Sequence, residues 1–148
     1  LAVFSEYMSN SLTVRRLKEL AYRVIAVDSL AKGYSFSKTF RLLYNQYDLD
    51  RERSFYITVR AHRGGGFTKD YLYLTGLKKF YNYYKQGKDI NLLLTGKISL
   101  PYIESMQSLH NKGFAVRAKH ITDSYLVNSN TNKTVDFILE SLKYVIHR

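Results

Sequence analysis

The sequence predicts a mainly α-helical fold with at most one or two short strands. Three observations carry that expectation. Apolar residues recur at helical spacing along most of the 148 residues. Glycines fall where those periodic segments stop, as helix ends require. Pro101 is the only proline, so little else interrupts a helix. Hydrophobic residues make up 45% of the chain, enough for one folded helical domain over residues 1–148 rather than a disordered tail.

Leu1 to about Ser9 reads as the end of a helix. Leu1 stands where an initiating Met would, so the chain is expected to be a fragment of a longer protein. Leu17, Leu20, Ala21, Val24, Val27 and Ala31 define a helix from Thr13 onward, with Gly33 as its C-terminal cap. Ser35 caps a helix that carries Phe36, Phe40, Leu43 and Tyr47 on one side. Asp50 caps a helix running to about His62, with Phe55 and Val59 as its apolar side. On another side Arg53, Tyr56, Arg60 and Arg63 form one basic stripe.

Gly64-Gly65-Gly66 must break that helix. Thr68 caps the next, where Phe67 and Leu72 are placed for a hydrophobic staple. Leu74, Leu77, Tyr81 and Tyr84 give its buried stripe, and Gly87 ends it. Ile90 to Leu94 fits a short helix or a strand. Ser99 with Pro101 starts a further helix that Gly113 ends, and Ala115 to His120 reads as extended. A last helix from about Asn132 turns Val135, Ile138, Leu139, Leu142 and Ile146 inward.

Composition narrows the function. The formal charge of +11 attracts polyanions or acidic peptides. Fourteen tyrosines beside that charge also suit single-stranded nucleic acid, although half-buried helix tyrosines and solvated lysines have the same composition. Without cysteine there is no disulfide framework and no thiolate metal site, which fits a reducing, cytoplasmic setting. No apolar run nears the roughly 18 residues of a membrane helix, so no membrane partner is expected.

The candidate site is the tract from Arg60 to Asp70. A glycine run there leads into a helix N-terminus, whose free N–H groups and dipole favour an anion. Lys69 falls in the first turn, where the dipole disfavours a cation unless an anion sits beside it. Arg60, Arg63, Gly65, Gly66, Thr68, Lys69 and Asp70 form a candidate nest for a carboxylate or phosphate. Asp70 suits the dipole and can orient Lys69 or an arginine. The alternative is a plain helix–glycine–helix joint with solvated basic residues. His62, His110, His120 and His147 show no metal-binding spacing, and Glu6 and Glu104 are isolated, so no catalytic or metal-ligating residue is assigned.

The tract Arg60-x-x-Arg63-Gly64-Gly65-Gly66-Phe67-Thr68-Lys69-Asp70-x-x-Tyr73-Leu74-x-Gly76-Leu77 resembles a signature of the QEGLA-motif proteins. Bacterial members are described as flavohaemoglobin-expression-modulating proteins, and the animal relatives are the microtubule-associated tyrosine carboxypeptidases. Leu1-Ala2 is similar to the last two letters of the motif, and Gly96-Lys97-Ile98 before a helix is also similar. The resemblance implies that the chain is the C-terminal part of a zinc-metallopeptidase-like fold. It implies zinc in the full-length parent, held by an H-E-x-x-x-H helix and the motif glutamate, both ahead of Leu1. It implies an N-terminal metal-binding part as partner, and no cofactor in this chain. On that reading the chain alone is inactive, and Arg60, Arg63, Lys69 and Asp70 recognise the terminal carboxylate of an acidic peptide or protein.

Two alternatives stay open. One is a non-enzymatic basic helical module that binds nucleic acid or a regulatory partner. The other is a purely packing role, with Leu1, Phe4 and Met8 left as an exposed apolar face.

Overall fold

The computed structural model describes residues 1–64, 67–96, 98–126 and 131–142, without the side chains of residues 67 and 68. All regular structure among them is helical. The α-helices are α1 (Ala2–Met8), α2 (Val14–Ala31), α3 (Phe36–Arg41), α4 (Arg51–His62), α5 (Phe67–Lys85), α6 (Ile103–Asn111), α7 (Asp123–Leu126) and α8 (Lys133–Ser141). A wide π-type turn at Leu42–Gln46 extends α3. Tight 3₁₀ turns lie at Asn91–Leu94 and Leu100–Tyr102. The ambiguous run at Ile90 to Leu94 is therefore helical, and residues 115–120 form no regular element.

The chain divides into two compact units. One is Thr13–Thr75; the other joins Leu1–Leu12 to Gly76–Arg148.

In the Thr13–Thr75 unit the helix ends are set by local chemistry. The side chains of Thr13, Ser35 and Asp50 accept the backbone N–H of Arg16, Lys38 and Arg53 at 3.1, 3.3 and 2.8 Å. Gly33 and Gly64 close α2 and α4 with φ of +75° and +78°. The core joins Ala26 and Val27 of α2, Leu43, Leu49, and Ile57 and Ala61 of α4.

Three expected faces are corrected here. On α4 the buried side is Ser54, Ile57, Thr58 and Ala61, whereas Phe55 is 55% exposed. Small side chains let α4 pack closely on α2 and α3. The two hydroxyls are satisfied locally, Ser54 Oγ donating to the Leu49 carbonyl at 3.1 Å and Thr58 Oγ1 to that of Ser54 at 2.6 Å. Tyr47 is exposed while Leu43 is fully buried, because the wide turn rotates the residues beyond it. Ala31 is exposed in the last turn of α2.

In the other unit α1 buries Val3, Phe4, Tyr7 and Met8. The Phe4 ring lies 5.7 Å from Tyr84 and 5.9 Å from Phe80. The expected exposed face is thus corrected: Phe4 and Met8 are buried, and only Leu1 is open. On the α5 segment of this unit Leu77 and Tyr81 are buried as expected. Lys78 is buried too, unexpectedly, and its ammonium donates to the Leu139 carbonyl near the end of α8. The Asn132 side chain caps α8, which buries Val135 and Leu139; Ile146 lies outside the described residues. The short α7 carries no periodicity that announces it.

Leu72, in the Thr13–Thr75 part of α5, is 60% exposed. Its partner side chain, Phe67, is outside the description. Among the described residues no helix is long and apolar enough to cross a membrane.

Candidate anion-binding site

The joint between α4 and α5 lies wholly within the Thr13–Thr75 unit. Arg60 leaves the last turn of α4, and Asp70 enters from the first turn of α5. They meet as a two-pronged pair. Arg60 Nε donates to Asp70 Oδ2 at 3.0 Å and to Oδ1 at 3.3 Å, and Arg60 Nη2 donates to Oδ1 at 3.0 Å. The Asp70 carboxylate is only 2% exposed and Arg60 21%. That hydrogen bonding, more than the nearby charge, raises the Arg60 pKa above its ordinary value, and Tyr56 adds to it. The pair ties the ends of two helices across a glycine joint.

The other two cations stand apart from it. Arg63 is exposed at the C-terminal cap of α4. Lys69 is exposed in the first turn of α5, with its nitrogen 6.0 Å from the Tyr73 ring centre. Neither has an ion-pair partner among the described residues. α5 begins at Phe67, so Thr68 lies inside its first turn rather than ahead of it. Gly65, Gly66 and the Thr68 side chain are outside the description.

His62 packs against α3. Its Nε2 lies 3.1 Å from the buried Thr39 Oγ1, and its ring is 5.5 Å from Phe36. Among the described residues no group of three His, Cys, Asp or Glu could hold a metal ion.

Sequence reasoning overlooked a second basic feature, the cavity beside Arg23 between α2 and α4. Only the i, i+4 spacing of Glu19 and Arg23 hinted at it.

No match was found among curated proteins or among solved structures. The family model of the microtubule-associated tyrosine carboxypeptidases matches residues 1–143, and the chain belongs to that family.

Proposed function

We propose that this chain is a substrate-binding and structural part of a carboxypeptidase, and that its α4–α5 joint holds the terminal carboxylate of a peptide. The observation that carries this reading is a division of labour among charges. Asp70, the one carboxylate within the tract, is buried and saturated by Arg60. It cannot also neutralise Lys69 or Arg63, which remain exposed on either side of Gly64. A cation in the first turn of a helix opposes the dipole, and a bound anion offsets that cost. A carboxypeptidase needs such a group to select a chain end. The hydrolytic zinc would be supplied by other sequence of the enzyme; Arg60 and Asp70 fix the frame from which Lys69 and Arg63 reach the substrate. The surplus of positive charge steers acidic peptide ends toward it.

Kinetics of the full-length enzyme test this. Lys69→Ala is expected to raise KM for a peptide with a free C-terminus by about tenfold, the loss of one charge-assisted contact. Unchanged KM and kcat would overturn the reading. Steep, length-dependent binding of single-stranded DNA would favour the basic nucleic-acid module instead.

A further inference from the structure

Three phenylalanines gather where α3 meets the start of α4, inside the Thr13–Thr75 unit. Phe36 and Phe40 of α3 and Phe55 of α4 line an open groove of about 620 Å³, with Arg41, Arg51 and Glu52 in its wall. The rings are braced by their neighbours. Phe36 meets Phe55 edge-on with ring centres 5.6 Å apart, and meets His62 at 5.5 Å. Phe40 is stacked on Tyr44 at 5.9 Å. Phe55 is nevertheless 55% exposed, so an aromatic surface faces solvent, the kind of patch that marks a binding site. The charges are equally available. Arg41 closes α3 and Arg51 opens α4, so two helices each bring a guanidinium to one groove. Arg41, Arg51 and Glu52 are exposed, and none has an ion-pair partner among the described residues. Nearby charges are engaged elsewhere. Asp50 caps α4 and lies 3.8 Å from Arg53 Nε, and the Lys38 ammonium lies 3.6 Å from the Tyr34 ring centre.

We propose that this groove binds a nucleoside diphosphate whose base carries an exocyclic amino group. The base stacks on the phenylalanine rings. Arg41 and Arg51 hold the phosphates through their forked donors. Glu52 accepts a hydrogen bond from the amino group, as carboxylates do from the amino group of cytosine. One ligand thus uses the rings, both arginines and the glutamate. The volume lies in the roughly 300–1,000 Å³ range of small-molecule sites. A single strand needs a continuous cationic track, which Glu52 interrupts. A second copy would set one charge of +11 against another. The groove lies at the start of α4, the joint with α5 beyond its end, and the proposal does not rest on the terminal-carboxylate reading.

The test is calorimetric titration of the 148-residue chain with adenosine diphosphate, inosine diphosphate and inorganic pyrophosphate, and with oligothymidylates of increasing length. Adenosine diphosphate is expected to bind at least about tenfold more tightly than pyrophosphate, because the base adds stacking. Inosine diphosphate, which lacks the amino group, is expected to bind about threefold more weakly, and Glu52→Gln to reduce that preference. Phe55→Ala, at an exposed position that folding tolerates, is expected to weaken adenosine diphosphate about tenfold and leave pyrophosphate unchanged. Arg41→Ala is expected to weaken both by about fivefold. Lys69→Ala is expected to leave all of them unchanged. Equal affinity for adenosine diphosphate and pyrophosphate, or no effect of Phe55→Ala in folded protein, would overturn the proposal. So would oligothymidylate that displaces the nucleotide more strongly as it lengthens, or a dimer that Phe55→Ala dissociates.

Discussion

Asp70 is where electrostatics and folding meet most tightly. A carboxylate 2% exposed is tolerable only while Arg60 holds it. Removing the arginine strands a buried charge, so Arg60→Ala is expected to lower stability by about 3 kcal/mol in urea melts. Asp70→Asn leaves a neutral amide in the same place and should cost less. Tyr81 shows a different coupling. Its single hydroxyl proton is shared between Asp136 Oδ1 at 3.3 Å and Glu140 Oε1 at 3.2 Å, while Tyr7 donates to Asp136 Oδ1 at 2.6 Å. Burial first, then the Asp136 carboxylate, pushes the Tyr81 pKa above its ordinary 10.0. Above that ordinary value the unfolded chain releases a proton that the folded chain keeps. Stability from this group is complete below pH 10 and is lost as pH rises. Relative to Tyr81→Phe, the wild type should lose up to about 1.4 kcal/mol per pH unit there. Urea melts at about pH 9 and about pH 11 check it; parallel losses in both proteins would contradict it.

Helix ends obey local rules that a sequence displays openly. Asp50 and Ser35 cap α4 and α3, and Gly64 and Gly87 take left-handed φ, as their positions require. Asp50→Ala is expected to cost about 1 kcal/mol in thermal or urea melts. A side chain at Gly64 meets no atom within 4 Å, so only its φ of +78° resists substitution. Gly64→Ala should therefore cost about 1 kcal/mol, from backbone strain alone. Helix faces are harder to read. Phe55 has the character of an inward residue of α4, yet Ser54 and Thr58 are buried instead, because their hydroxyls find nearby backbone carbonyls. Lys78 is buried because a carbonyl of a distant helix accepts its protons, a pairing no local pattern encodes. The candidate joint was legible as a motif, and so was the option of an arginine held by Asp70. The Arg23 cavity was not, since it exists only once α2 docks on α4.

Over the whole chain, the +11 charge acts at a distance, whereas the carboxylate contact proposed for the joint would act at short range. The first effect is screened by salt and the second much less. Association rates with acidic peptides should therefore fall from about 50 mM to about 200 mM salt, while the preference for a free C-terminus persists. Membership of the carboxypeptidase family makes recognition of a chain end the central question. It is answered most directly by equilibrium binding of one peptide with its terminus free and amidated, to wild type and to Arg63→Ala/Lys69→Ala. The wild type should prefer the free carboxylate by about tenfold, and the double variant should lose that preference while remaining folded. Equal affinity of the wild type for both peptides would contradict the account.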